Sequence, residues 1–242
     1  MKILAVDSSS VTASVAILED KKIISEFFIN AGLTHSQTLA PMIESALINS
    51  ATEISDIDLF SATIGPGSFT GLRIGLATIK GMALALDKPC VGVSSLLAAA
   101  YNLKDYNGII CACMDARREQ VYNAIFKVSN GQIKRIIEDR AISIQELENE
   151  LLKYSDNIKL VGDGAEMCYN TMLDNEKVRN IELASENQRY IRGSMVGIAS
   201  LLSYERGEIS NAVDISLNYL RLSQAERMLL ENKLKTQGEN VW

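Results

Sequence analysis

The chain has 242 residues, 47% of them apolar and only three of them proline, a composition that suits a globular protein and excludes a disordered one. Its net charge of −6 and pI near 5.0 make it a poor stand-alone binder of polyanions, because nucleic-acid affinity rests largely on neutralising phosphates. No apolar run approaches the roughly 20 residues needed to span a bilayer, and the opening MKILAVDSSS reaches Asp7 too soon for a signal peptide. In chain order, KILAVD reads as a short buried strand, TASVAILE alternates, and Glu19-Asp20-Lys21 turns the chain into KIISEFFI. Residues 34–50 form a helix candidate, with Leu39, Met42, Ile43, Ala46 and Leu47 at helical spacing. Thr34 with Gln37 fits a capping box, while Pro41 inside the span predicts a kink or a later start. Strand LFSATI, a Gly-rich turn with helix 68–86, and strand CVGVS complete the first third.

The middle repeats the theme. IICACMDARREQVYNAIFKVSNGQIKRI can be laid on KILAVDSSSVTASVAILEDKKIISEF, pairing Asp115 with Asp7. A helix over 144–154 follows, introduced by the capping box Ser143-x-x-Glu146, then strand IKLVGDG, a short helix, strand NIELA and helix 191–206. Two successive β-β-β-α-β-α units predict an α/β protein with a duplicated fold of the ribonuclease-H or actin kind. The break is expected near 101–108, giving an N-terminal lobe over 1–104 and a C-terminal lobe over 105–242 whose last helix packs back on the first lobe.

Four cysteines (Cys90, Cys111, Cys113, Cys168) are read as buried reduced thiols of a cytoplasmic protein, since a C-x-C pair on one strand face suits neither a disulfide nor zinc without further ligands. His35 is the only histidine, which argues against a zinc hydrolase and a Ser-His-Asp triad; at a helix start it reads as a first-turn surface residue. Asp7 ends a buried strand and opens onto three serines, a place where a carboxylate positions a metal–phosphate unit in actin-like ATPases, or where Asp and Ser simply make a turn. Asp7, Ser8 and Ser9, with Gly162 and Gly164 of a later Gly-Asp-Gly turn, form a candidate vestigial nucleotide site. The stretch GPGSFTGLRIG lacks the Lys of a P-loop, and its Gly71 falls one residue late for a dinucleotide fingerprint. With Ser68 as N-cap, Gly71 and Gly75 share one helical face, and Phe69, Leu72, Leu76, Ile79, Ala83 and Leu86 make an apolar stripe opposite. A helix apolar nearly all round needs cover on both sides. Helix 34–50 or a second protein supplies the cover that the sheet does not, and Gly71 and Gly75 are expected to make room for it.

ILAVDSS, THSQTLAPMIESAL, GPGSFTGLRIGLATIKGMALAL, PCVGVSSLLAAA, LVGDGA and YLR together resemble the TsaB (YeaZ) family, bacterial subunits of the machinery that makes threonylcarbamoyladenosine in tRNA. The resemblance covers nearly the whole chain. It implies a two-lobed actin-like (ASKHA) fold and a non-catalytic scaffold or activator that binds the paralogue TsaD, which transfers threonylcarbamoyl to the tRNA adenosine next to the anticodon. It also implies TsaE as the ATP-using partner, contact with tRNA only through the complex, and a homodimer when TsaD is absent. Pairing of the TsaB and TsaD lobes through their first two helices puts Leu39, Met42, Ile43, Ala46, Gly71, Ile74, Gly75 and Thr78 at the expected interface. TsaD's two metal-binding histidines align with Ser95 and Ala99, neither of them a replacement ligand, so no cofactor, no bound metal and no catalytic residue are expected. The alternatives are an actin-fold ATPase or phosphotransferase using Asp7, and a glycoprotease-like (M22) peptidase.

Overall fold

A computed structural model describes residues 1–173 and 180–221. Of the C-terminal stretch NYLRLSQAERMLLENKLK, expected to hold the last helix, the part after residue 221 lies outside the described residues. The first half builds β1 (Lys2–Asp7), β2 (Ala13–Glu19), β3 (Lys22–Ile29), α1 (His35–Asn49), β4 (Leu59–Gly65), α2 (Phe69–Ala85), β5 (Cys90–Ser94) and α3 (Ser95–Tyr101). The second builds β6 (Gly108–Asp115), β7 (Gln120–Ser129), β8 (Gln132–Ser143), α4 (Ile144–Leu151), β9 (Ile158–Val161), α5 (Ala165–Leu173), β10 (Ile181–Leu183), α6 (Glu186–Arg189) and α7 (Gly193–Glu205).

The strands form two five-stranded sheets with the same connectivity, β3-β2-β1-β4-β5 and β8-β7-β6-β9-β10. In each, the first three strands pair antiparallel and the last two add in parallel. Asp7 and Asp115 end the first strand of their respective sheets, as the internal alignment predicted. This is the duplicated actin-like arrangement.

Side-chain alternation sorts the core into layers. Leu4, Val6, Val15 and Ile17 point to one face of the first sheet, where they pack with residues of α1 and α2. Ile3, Ala5, Ala16 and Leu18 point to the other face, into a central layer with α3, α7 and Ile110, Ala112, Ala124 and Phe126 of the second sheet. The far face of the second sheet, with Cys111 and Cys113, packs against α4 and α5. Helix α7, formed by residues near the chain's end, therefore lies on β1 and β2 and covers the first sheet.

Two local expectations are corrected. Thr34 precedes α1 but its side chain makes no cap bond; its carbonyl instead accepts from Gln37 N at 3.0 Å. The helix starts at His35 and runs through Pro41, with Thr38, Leu39, Met42, Ile43 and Ala46 buried. Both other caps form as read: Ser68 Oγ accepts from Gly71 N, and Ser143 with Glu146 makes a complete capping box.

Candidate functional site

The β1–β2 loop and the start of α2 interlock. Ser8 Oγ donates to the Gly71 carbonyl at 2.9 Å, and Ser68 N donates to the Ser9 carbonyl at 2.7 Å. A Cβ at Gly71 would overlap the Ser8 carbonyl, and one at Gly75 would overlap Ser8 Oγ. These two glycines therefore let α2 sit on its own chain's loop, which corrects the expectation that they leave room for a partner. Leu39, Met42, Ile43 and Ala46 are buried in this chain's core, and Ile74 and Thr78 are half-buried.

What α1 and α2 turn outward is a different set. Ala40, Glu44 and Ile48 are exposed on α1, and Ala77, Gly81 and Leu84 on α2. Ile48 is 70% exposed and Leu84 63%, and among the described residues nothing lies within 4 Å of a Cβ built at Gly81. The outer face is apolar or small along most of its length, with Glu44 and Arg73 among its charges.

His35 also departs from expectation. It is half-buried rather than a free surface side chain, and its Nε2 donates to the Ser10 carbonyl at 2.9 Å. It ties the start of α1 to the loop that α2 grips.

Asp7 is fully buried. One carboxylate oxygen accepts from Ser9 N (3.1 Å), Ser9 Oγ (2.6 Å) and Thr63 Oγ1 (2.7 Å), while Oδ2 is buried with no partner among the described residues. Burial outweighs these bonds and raises its pKa. A cleft of about 460 Å³ lies between the lobes, lined by Ser9, Ser10, Asp115, Arg117, Asp163 and Tyr219 among others, but not by Asp7 or Ser8. Gly162 and Gly164 do not line it either: a Cβ on either would collide with the backbone of β6 at Cys113 to Asp115. Of the five candidate nucleotide residues the cleft thus takes only Ser9. The actin-like fold implies a metal–nucleotide unit here, and these residues do not fit one, since Asp7 is fully buried and does not line the cleft, with one carboxylate oxygen taken up by Ser9 and Thr63.

Asp163, which spacing alone left as a turn residue, is the cleft's distinctive titratable group. Its Oδ1 accepts from Asp115 N at 3.2 Å, and burial, with the negative charges of Asp115 and Asp7, pushes its pKa up to about 6. The sequence reading also missed the strap formed by residues 210–221. Ser210 pairs with Cys90 at the sheet edge, Lys80 Nζ donates to the carbonyls of Val213 and Ile215, and Tyr219 stacks on Phe69 with ring centroids 4.3 Å apart. Arg221 Nη1 then reaches the Ala116 carbonyl of the second lobe at 2.8 Å. The YLR motif marks this crossing, but nothing in its periodicity announced it.

Ser95 and Ala99 are both fully buried in the central layer, on α3. The four cysteines are free and buried. Among the described residues, no group of three or more His, Cys, Asp or Glu side chains is arranged to hold a metal ion, and no helix is long and apolar enough to cross a membrane.

A family model described as "TsaD: tRNA N6-adenosine threonylcarbamoyltransferase" matches residues 29–229. The chain is 29% identical over 241 residues to the tRNA threonylcarbamoyladenosine biosynthesis protein TsaB of Bacillus subtilis, covering 96% of this chain and 100% of that one. It is 30% identical to the protein of the same name from Haemophilus influenzae, over 91% of this chain and 94% of the relative. The solved structure of YeaZ from Pseudomonas aeruginosa superposes with a TM-score of 0.74 at 22% identity, over 90% of this chain and 99% of that one, and so shares the fold. The chain belongs to the TsaB (YeaZ) family, within the wider group that the threonylcarbamoyltransferase model describes.

Proposed function

We propose that this chain is a non-catalytic scaffold subunit in the biosynthesis of threonylcarbamoyladenosine in tRNA. It binds TsaD through the outward face of α1 and α2 so that TsaD transfers threonylcarbamoyl to the tRNA adenosine next to the anticodon. One observation carries the reading: the outer face of a helix pair already packed on its own sheet remains small and apolar, with Ile48 and Leu84 largely exposed. A partner built on a related lobe suits such a face, since paired helices of two related lobes make a quasi-symmetric contact. The buried Ser95 and Ala99 support the scaffold reading, because neither position opens onto a cleft. In this reading TsaE supplies ATP use, tRNA is met only within the complex, the chain self-associates through the same face when alone, and it works in the cytoplasm.

Reconstitution with TsaD, TsaE and tRNA tests it. Ala77→Arg and Gly81→Arg place a long charged side chain on exposed positions of α2 without touching the core. Both are expected to abolish TsaD capture and transfer activity while leaving the thermal midpoint near that of the parent. Intact complex and activity in both variants would refute the docking face.

A further inference from the structure

The outward face is not uniform, and one end of it is concave. A groove of about 430 Å³ opens where the last turns of α1, the loop after it and α2 meet. Its floor is apolar: Ile43, Leu47, Ile54 and Met82 line it, and Ile48, 70% exposed, stands at its edge. Two carboxylates, Glu44 and Glu53, line it as well, both exposed; among the described residues neither is paired with a cation and no Lys or Arg lines the groove. The C-terminus of α1 adds to this field. That helix has 15 residues and no basic side chain in its last turn, and its final carbonyls are met by neutral donors: Ala46 accepts from Ser25 Oγ, Leu47 from Ser50 Oγ and Ile48 from the Ala51 amide, so no cation offsets the helix end there.

An apolar floor under an electronegative rim selects one kind of visitor. An apolar side chain alone would desolvate the carboxylates without a counter-charge, and a cation alone would leave the floor wet. We infer that this groove is a socket for a helix of the docking partner that inserts one apolar side chain and carries a Lys or Arg one turn away, the base lying between Glu44 and Glu53. The socket rests on the docking reading above and specifies its chemistry: the apolar anchor supplies residence time, and the acidic rim sets register and speeds encounter.

Calorimetric titration of the full chain with TsaD, at low and at high salt, tests the socket. Glu44→Lys/Glu53→Lys is expected to weaken binding roughly tenfold at low salt and distinctly less at high salt, with Glu44→Gln/Glu53→Gln intermediate. Ile48→Ala is expected to weaken it severalfold at both salt concentrations. Circular dichroism verifies that each variant keeps the parent's fold, which these exposed positions permit. If charge reversal leaves affinity and its salt dependence unchanged while Ala77→Arg abolishes binding, the socket is wrong and the docking face stands. If Ala77→Arg also binds normally, the docking face itself is wrong. Loss of self-association with unchanged TsaD binding in the charge-reversed chain would assign the groove to a second copy and overturn the inference.

Discussion

Single residues decide how α2 is seated. Gly71 and Gly81 lie on one helix, yet a Cβ at one would meet the Ser8 carbonyl and at the other would meet nothing among the described residues. Adding one methyl at each should therefore act with opposite sign. Gly71→Ala is expected to destabilise by about 1–3 kcal/mol, the usual cost of overpacking against backbone. Gly81→Ala should stabilise by about 0.5–1 kcal/mol through helix propensity, and urea titration of the two variants checks the pair. Asp163 offers a second residue-scale test. Its folded pKa, about 6, lies above the ordinary carboxylate value, so the native state binds its proton more tightly than the unfolded chain does. The sign follows: its contribution to stability falls as pH rises from about 4 to about 6, by on the order of 2–3 kcal/mol, and the penalty stays in force above that. Asp163→Asn keeps an oxygen for the Asp115 amide and removes the charge. The variant should gain on the parent through that window and remain more stable at pH 7, as read by denaturant midpoints at several pH values. Glu208, held down to about 2 by Arg206, titrates in both proteins and so cancels from the difference.

At the scale of elements, much was legible in the sequence. Strand alternation, the Ser68 and Ser143 caps and the internal repeat all correspond to observed features, because each is a local signal with a local cause. The orientation of α2 was not legible. Leu72 and Leu76 face the core and Gly71 and Gly75 face the Ser8 loop, so both sides are buried, and periodicity cannot tell a core contact from a partner contact. The strap was hidden for another reason: residues 210–221 carry no period, and their meaning comes from partners more than a hundred positions away. Lys80 holds that strap by donating to two carbonyls at 3.0 Å. Lys80→Met keeps the aliphatic stem and removes both bonds, at a cost of about 1.5–3 kcal/mol for charged hydrogen bonds. Hydrogen exchange should accelerate roughly tenfold or more at the Ser210 and Asn218 amides, which bond to Cys90 and Ile64, and stay unchanged in β1. Uniform acceleration across the first sheet would mean that the strap and the sheet open together.

The whole molecule is less divisible than its repeated sequence suggests. Its central layer takes side chains from both sheets, with Ile3 and Leu18 from the first and Ala112 and Phe126 from the second. The lobes are also joined by polar contacts. Asp139, on β8, accepts from Ser94 Oγ at 2.6 Å and pairs with Arg135, whose guanidinium lies 4.7 Å from the Phe126 ring centroid. Ser94 in turn caps α3 through the Leu97 amide, so one carboxylate connects the second sheet to the end of the first. Asp139→Ala would leave Arg135, only 20% exposed, with the longer contact to Glu138 at 3.7 Å and would take the acceptor from Ser94 Oγ; a loss of about 1–3 kcal/mol is expected, allowing for that remaining partner and partial solvation. A sharper test follows from α7. That helix covers the β1–β2 face with residues 193–205, so a fragment ending at residue 104 would expose Ile3, Ala5, Ala16 and Leu18 to water. Burying four such side chains contributes several kcal/mol, at about 25 cal/mol per Å² of apolar surface, which is a large share of the net stability of a domain this size. Fragment 1–104 is therefore expected to lack cooperative unfolding and to show collapsed near-UV dichroism and NMR dispersion, whereas the full chain unfolds in a single transition. A well-dispersed spectrum from the fragment would show that the first lobe folds without α7. In that event the duplication would be physical as well as historical, and the shared layer would be an interface between two finished domains.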